Sequence, residues 1–485
     1  MDALAGLRSL PLVSAAEAKL DPALVRLDDS IEPMVRLIED TPRERLLEEI
    51  GSRIRSGAAS YQDVLAGLLL AGVRNVPPRP AVGFKFHAVL VVNSAHLASL
   101  ASPDSDRWLP IFWALDYFKV AQAQTVKEND GWRMRAVEEK SVPPARKARQ
   151  AFIDAMDAWD ESAADVAAAS LARHLPRGEV FELFARYAAR DFRDIGHKTI
   201  FVANSFRTLS CIGWQHAEPV LRSLAYALLL YNGKNPAKST DDDVASADRP
   251  WRRNAKRISD LGADWSAGEK SDPAAVVELL AVCRGGSSDD ASAAVVRALS
   301  DGLSTQCVWD ALLCAAGERL MRRPGILALH AVTMTNAMRY CWNATTSDQT
   351  RRTLLLQNAS FLPMFGGEGK KDDVRIDQFD ASSSNIALPD IFAEVDRDRM
   401  NAARMTLRYL NAGGNPRDLI NAARRLVFLK GNNSHDYKFS AAVMEDYAHV
   451  SPVLRDRFLA SAMFYLRGSG ARDTDLVART RAAIG

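Results

Sequence analysis

The sequence predicts an all-α protein, a large multi-helix bundle in which long polar loops separate some of the helices. Apolar residues recur at spacings of three and four along most of the 485 residues, the spacing of one helix face. The strict apolar–polar alternation of half-buried strands is almost absent, and the periodic segments are rich in Ala and Leu, which favour helices. We therefore expect a single α-helical domain over residues 1–485.

The first predicted helices have recognisable start signals. Thr41 is a good helix cap and Pro42 suits a first turn, so a helix is expected to follow them. Ser60 precedes a second helix, in which apolar residues at 61, 64, 65, 68 and 69 share one face. The further predicted helices span 145–159, 162–174, 180–189, 218–231, 273–284, 290–300, 305–321, 350–358, 398–412, 418–429 and 453–466. Short apolar runs at 89–92 and 200–202 leave a strand as an alternative.

Two polar insertions interrupt the helical pattern, near 232–270 and 366–389. Loops of this length in a compact domain are usually functional lids or flexible insertions. In the first, the basic run 252–257 follows the aspartates 241–243, which predicts a solvated loop of mixed charge. The second, 366–389, is expected either to cover a pocket or to form an insertion without contact to the site.

Composition excludes several classes of partner. With 62 Lys and Arg against 60 Asp and Glu, the net charge of +2 gives no reason to expect nucleic acid or an anionic membrane surface. No stretch approaches the roughly 20 apolar residues of a membrane helix, and the N-terminus is a poor signal peptide. The five cysteines include no CxxC pair, so neither disulfides nor a thiolate zinc site is indicated. We expect a cytoplasmic protein.

Well-known catalytic motifs are missing from the sequence. It contains no HExxH, no phosphate-binding GxxxxGK[ST], no GxGxxG after a strand and no GxSxG elbow. Any chemistry must come from residues that are dispersed along the chain.

Four of the eight histidines lie in unusually apolar or small-residue surroundings. They are His87, His197, His330 and His435. A buried imidazole needs a hydrogen-bond partner or a metal, because burying it unpaired is costly. One such histidine is readily explained as a core residue, but helices of a bundle can project four of them to a shared site. Three are followed by an asparagine six or seven residues later, at Asn93, Asn204 and Asn336.

A lysine accompanies the fourth histidine. Lys438 follows His435 by three residues, so both side chains leave the same helical face. A charged ammonium would oppose metal binding, whereas a lysine with a lowered pKa can take up carbon dioxide as an anionic carbamate. The alternative is a surface lysine that pairs with an acidic neighbour, namely Asp436, Glu445 or Asp446.

Four dispersed histidines and a late His-x-x-Lys resemble the questin oxidase-like family of non-haem iron oxygenases. The resemblance implies a helical protein that oxidises or cleaves polycyclic aromatic substrates such as anthraquinones. It also implies Fe(II), a carboxylated lysine and a ligand set of His87, His197, His330, His435 and Lys438. Five protein ligands leave one position of an octahedron for dioxygen.

Further residues are candidates for supporting roles. Asp116 and Asp194 are expected to orient ligating imidazoles through their second nitrogen. Trp113, Trp214 and Trp309 are expected to stack on an aromatic substrate, with core packing as the alternative.

Other classes of function remain open at this stage. The chain could be a non-enzymatic helical scaffold or partner-binding protein whose histidines are structural. It could also bind haem through an axial histidine, or hold manganese or zinc in place of iron. The expected partner is a small aromatic molecule, and neither nucleic acid nor membrane is expected.

Overall fold

The prediction of an all-α protein is confirmed. A computed structural model describes residues 21, 23–79, 83–366 and 373–485, in which 22 α-helices follow one another. In chain order they are α1 (Glu32–Asp40), α2 (Arg43–Arg55), α3 (Tyr61–Asn75), α4 (Gly83–Leu100), α5 (Leu109–Glu128), α6 (Ala145–Ala158), α7 (Glu161–His174), α8 (Arg177–Ala188), α9 (His197–Ile212), α10 (Ala217–Leu228) and α11 (Arg249–Arg257). They continue as α12 (Pro273–Gly285), α13 (Ser288–Ser300), α14 (Thr305–Arg322), α15 (Ile326–Ala344), α16 (Asp348–Met364), α17 (Leu388–Val395), α18 (Arg399–Asn411), α19 (Pro416–Lys430), α20 (Ser434–Asp446), α21 (Pro452–Ser461) and α22 (Asp475–Ile484).

The two apolar runs that left a strand open are helical. Residues 89–92 lie in the middle of α4, and residues 200–202 lie in the first turns of α9. Both helices are buried on nearly all sides, so their apolar residues are continuous instead of forming one stripe. Periodicity alone does not separate such a helix from a buried strand.

Four helices form the centre of the molecule. They pack in a closed square in the order α4, α9, α15 and α20, with α20 returning to α4. Other helices cover this square from outside: α5 packs on α4, α8 on α9, α16 on α15 and α19 on α20. The square therefore lies inside the protein, where inward side chains are withdrawn from water.

The prediction of a loop for the basic run 252–257 is wrong. These residues belong to α11, and Asn254 is buried where its amide donates hydrogen bonds to Gln357 and Ser360. On the outer side, Arg252 and Lys256 pair with Asp241, so the mixed charges do meet at the surface. Buried Pro250 and Asn254 thus dock this short helix, although its composition is typical of a loop.

Much of the second polar insertion is anchored to neighbouring helices. Ile376 is buried and its backbone N–H donates to Glu318, while Asp377 pairs with Arg284. Residues 367–372 and the N-terminal segment 1–20, where the signal-peptide prediction applies, lie outside the described residues.

The length and hydropathy of the helices show whether any of them could span a membrane. Within the described ranges, no helix combines the length and apolar character needed to cross a bilayer.

Candidate metal centre

The four predicted histidines meet in one layer inside the central square. Each imidazole contacts the imidazoles of its two neighbours: ring centroids are separated by 5.1 Å for His87 and His197 and by 4.4 Å for His197 and His330. The other two separations are 5.2 Å for His330 and His435 and 4.7 Å for His435 and His87. All four side chains are buried. The expected convergence is therefore present, while the role of the histidines as metal ligands stays a prediction.

Each histidine lies in the first turns of its helix. His87 and His330 are the fifth residues of α4 and α15, and His197 and His435 are the first and second residues of α9 and α20. The four helices therefore begin at the same end of the square and run in the same direction. Their macrodipoles place four partially positive ends near the imidazoles, which favours an anionic group at this layer.

A left-handed turn places His197. Asp194, Ile195 and Gly196 have φ angles of 54°, 49° and 84°, three consecutive residues in a region that non-glycine residues avoid. At Gly196 a β-carbon would lie 2.5 Å from Cγ of Met334, so glycine is required there for space as well as for conformation. The turn aims the carbonyl of Asp194 at Nδ1 of His197, at 2.5 Å.

Backbone carbonyls determine which nitrogen of two imidazoles carries the proton. Nδ1 of His197 contacts the carbonyl of Asp194, and Nδ1 of His330 contacts the carbonyl of Ile326 at 2.6 Å. Because a carbonyl only accepts hydrogen bonds, both Nδ1 atoms must be protonated. Burial lowers the pKa of both imidazoles well below the usual value, so both rings are neutral and their Nε2 atoms carry lone pairs.

These two lone pairs face each other. Nε2 of His330 lies 3.0 Å from Nε2 of His197, which in turn lies 3.2 Å from Nε2 of His87. Two acceptors at this distance repel unless a cation lies between them.

The spacing fits a metal ion. Bonds of about 2.1 Å at right angles separate adjacent ligand nitrogens by about 3.0 Å (2.1 × √2). The group whose ligand nitrogens all lie within 4.8 Å of one another consists of His87, His330 and His435, and His197 is not a member of it. Nε2 of His435 is buried and has no hydrogen-bond partner among the described residues, and burial lowers the pKa of this imidazole to about 3.

Lys438 is deeply buried beside the histidines. Its side chain is 3% exposed, and its Nζ has no hydrogen-bond partner in the part of the chain that the structure describes. Burial lowers its pKa to about 7, and its charge contributes to the lowered pKa values of His197, His330 and His435. The surface-lysine alternative is therefore wrong.

Asp436, an acidic neighbour of Lys438 in the sequence, is engaged elsewhere. Asp436 accepts hydrogen bonds from the backbone N–H groups of Asn432 and Asn433 and pairs with Arg467. Asn433 in turn caps α20 by accepting from the N–H of His435. Asp436 thus fixes the start of the helix that carries His435 and Lys438.

A polar cleft extends from Lys438 along the axis of the square. Its cavity volume is only about 10 Å³, close to the space that one water molecule needs. Its lining residues come from all four helices and are Asn93, Ser94, Leu97, Ile200, Asn204, Arg207, Thr333, Asn336, Lys438, Ala441, Ala442 and Glu445. The three asparagines that follow the histidines thus lie together.

Hydrogen bonds between helices close the far end of this cleft. The amide of Asn93 donates to Asn204 at 3.4 Å, and that of Asn336 donates to Glu445 at 2.9 Å. Arg207 pairs with Glu445 through two hydrogen bonds of 2.8 and 2.7 Å. Each bond joins two helices, so the asparagines and this ion pair fix the register of the square.

Of the two aspartates predicted to orient imidazoles, Asp194 contacts a histidine and Asp116 pairs with an arginine. Asp194 does so for His197 through its backbone carbonyl, where the sequence had suggested its carboxylate. Both carboxylate oxygens of Asp116 accept hydrogen bonds from Arg43, at 2.8 and 2.7 Å. Asp116 therefore joins α5 to α2.

Among the described residues, the three tryptophans predicted to form a substrate pocket pack against other aromatic rings. Trp113 stacks between Tyr117 and Tyr437, at 5.0 and 4.4 Å between ring centroids, so both of its faces are covered. Trp309 packs edge-on against Trp342, and Trp214 packs against Phe206. Trp residues are absent from the described lining of the cleft. Core packing explains Trp113 and Trp309.

Thr333 was missed by sequence reasoning. It lines the cleft with Lys438, and its hydroxyl is buried without a hydrogen-bond partner in the described ranges. The signal was present: Thr333 follows His330 by three residues, as Lys438 follows His435.

Comparison with known proteins adds no relative: no protein family, no curated protein and no solved structure matches the chain.

Proposed function

We propose that the protein is a non-haem metal oxygenase that holds iron with His87, His197, His330, His435 and a carboxylated Lys438. The single observation that carries the proposal is the arrangement of Nε2 atoms in the histidine layer. The Nε2 atoms of His197 and His330 are both acceptors and lie 3.0 Å apart. A divalent cation turns this repulsion into two bonds, and the carbonyl partners at Nδ1 are what ligating histidines usually have.

A carboxylated Lys438 completes the ligand set. An ammonium one helical turn from four imidazoles would repel a cation, and no described carboxylate pairs with it. As a carbamate, the side chain supplies the anionic oxygen that four neutral imidazoles lack. The partially positive helix ends at this layer add to the preference for an anion.

The ligand chemistry favours iron and an oxidation. Imidazole and carboxylate-type oxygen ligands suit Fe(II), and five protein ligands leave one coordination position for dioxygen. Iron so held would supply dioxygen activation, and the buried position of the histidines excludes bulk water from it. A polycyclic aromatic substrate and a cytoplasmic location complete the proposal. The former follows from the family resemblance, and the latter agrees with five cysteines that carry free thiols.

Metal analysis of the purified protein tests the proposal. We expect about one equivalent of iron per chain in protein from iron-supplemented cells, and loss of that iron in His197→Ala and His330→Ala. His96→Ala is the matched control, because His96 is also buried on α4 but bonds to Tyr61 and Cys211. It should keep the metal.

Oxygen consumption then separates an oxygenase from a scaffold. Iron-loaded protein should consume dioxygen in the presence of an anthraquinone-type substrate, and His197→Ala should not. Wild-type protein without any bound transition metal would favour a scaffold with structural histidines. A haem-type absorption spectrum would point to the haem alternative.

A further inference from the structure

A separate cavity lies where α11, α13 and α16 meet, outside the central square. Its volume is about 270 Å³, just below the roughly 300 Å³ at which pockets for drug-sized ligands begin. Five serines and two arginines belong to its described lining, which includes none of the residues of the histidine layer. The cavity is therefore suited to a compact polar ligand.

The two arginines of the lining make few hydrogen bonds within the protein. Arg249 donates through Nε to the carbonyl of Val244 at 3.3 Å, and its two terminal nitrogens bond to no described residue. The guanidinium of Arg253 lies 3.7 Å from the carboxylate of Asp289, which is beyond hydrogen-bond distance. Because Arg249 and Arg253 are four residues apart on α11, their side chains leave the same face of the helix. Several guanidinium N–H groups are therefore available to a ligand in the cavity.

Further hydrogen-bond donors of the lining are also unused. Ser287 caps α13 by accepting from the backbone N–H of Asp290. The N–H groups of Ser288 and Asp289, the first two residues of the helix, make no hydrogen bond in the part of the chain that the structure describes. The hydroxyls of Ser246 and Ser288 also bond to no described residue. The lining thus offers backbone and hydroxyl donors beside the two guanidinium groups.

Positive charge exceeds negative charge around the cavity. Asp289 is the only carboxylate of the described lining, and it already accepts a hydrogen bond of 3.0 Å from Arg257. Arg249 and Arg253 are therefore left without a hydrogen-bonded counter-ion among the described residues. Unused donors and uncompensated positive charge favour an anion, and the planar guanidinium group matches the oxygens of phosphate and carboxylate groups.

We propose that this cavity binds a phosphate group, either free or as the monoester of a small molecule. The terminal oxygens of a phosphate point in several directions, so they can accept from the arginines of α11 and from the start of α13 at once. The oxygens of a carboxylate lie in one plane and reach fewer of these donors. Pro250 and Met364, the apolar residues of the lining, contact the organic part of a monoester. The inference does not depend on the proposed function, because the cavity and the histidine layer share no residue.

Isothermal titration calorimetry of the whole chain with inorganic phosphate and with phenyl phosphate tests the inference. We expect both probes to bind at one site per chain. Tighter binding of phenyl phosphate identifies a monoester as the ligand, and equal or tighter binding of inorganic phosphate identifies free phosphate. Arg253→Gln should weaken both probes about tenfold or more, the factor for one hydrogen bond between charged groups. The double variant with Arg249→Gln and Arg253→Gln should lose more than the single variant.

Arg252→Gln is the matched control. It removes the same charge from the same helix, but Arg252 lies outside the described lining, donates to the carbonyl of Ser239 and pairs with Asp241. Its affinity for both probes should match that of wild type, and circular dichroism confirms that each variant is folded. A loss in Arg252→Gln as large as in Arg253→Gln would indicate unspecific attraction and overturn the site. Wild-type protein that binds neither probe, or variants of Arg249 and Arg253 that bind like wild type, would also overturn it, and all these outcomes leave the metal centre unaffected.

Discussion

Two lysines are buried in the same part of the protein, but only one of them has hydrogen-bond partners among the described residues. Lys198, next to His197, is 2% exposed and donates to Asp191 at 2.7 Å and to the carbonyls of Leu228 and Leu230 at 2.9 and 3.0 Å. Lys438 is 3% exposed, and its Nζ meets no acceptor within the described residues. The first environment is built for an ammonium ion, and the second is not.

The difference in hydrogen bonding determines which charge state each buried lysine can adopt. A buried charge is tolerated when a counter-ion and further hydrogen bonds replace water, as around Lys198. Without them, the charged form is disfavoured and the side chain changes its protonation state or its chemistry. Lys198 is therefore a structural residue, whereas Lys438 is available as a neutral amine that can react.

The largest expected effect is the difference in folding stability between two variants, Lys198→Met and Lys438→Met. Lys198→Met removes the closest cation from the buried carboxylate of Asp191, and breaking such a pair costs about 3–5 kcal/mol. Lys438→Met abandons no partner in the described structure, so the metal-free protein should lose less than about 1 kcal/mol or gain stability. Urea denaturation of metal-free protein without bicarbonate measures both. An equal loss in the two variants would mean that Lys438 is satisfied as an ammonium.

The pH dependence of the free energy of unfolding also distinguishes Lys438 from Lys198. Burial lowers the pKa of Lys438 to about 7, whereas an unfolded lysine titrates near pH 10.4. Between these values the unfolded chain binds a proton that the folded chain lacks, so the free energy of unfolding rises with pH across this window. Lys438→Met should flatten that rise, leaving the smaller part due to Lys198, whose pKa burial lowers to about 8. Denaturation midpoints measured from pH 7 to 10 without metal or bicarbonate check this, and identical slopes in wild type and Lys438→Met would contradict it.

A smaller effect is expected at the helix starts that present the two lysines. The α20 start is capped by Asn433 through ordinary hydrogen bonds, but the α9 start depends on the left-handed turn at 194–196. Gly196→Ala adds both backbone strain and a contact with Met334, so we expect a loss of about 1–3 kcal/mol. Because the turn aims the Asp194 carbonyl at His197, metal affinity should fall as well.

Gly178→Ala is the matched control for Gly196→Ala. Gly178 lies in α8, where nothing lies within 4 Å of an added β-carbon, and its variant should be neutral or slightly more stable. Thermal unfolding and zinc titration of both variants distinguish them. If Gly196→Ala binds zinc like wild type, the turn does not position His197.

Part of this architecture could be predicted from the sequence, because those features depend on local sequence patterns. Helical spacing predicted most of the helices outside the square, whereas the apolar runs in α4 and α9 were left open between helix and strand. The four similar histidine contexts predicted one shared site. The order of the helices around the square could not be predicted, because it depends on long-range packing. The partners of His197 and His330 are backbone carbonyls, which are the same in every residue and leave no trace in the sequence. Trp113 was misjudged because its stacking partner Tyr437 is more than 300 residues away.

The most direct test of the account is anomalous diffraction from crystals of the iron-loaded protein at the iron absorption edge. We predict one strong peak between the imidazoles of His87, His197, His330 and His435, with density for a carboxylated Lys438 reaching it. A peak elsewhere, or imidazoles that bond to one another around an empty centre in iron-soaked crystals, would contradict the assignment of this layer as a metal site.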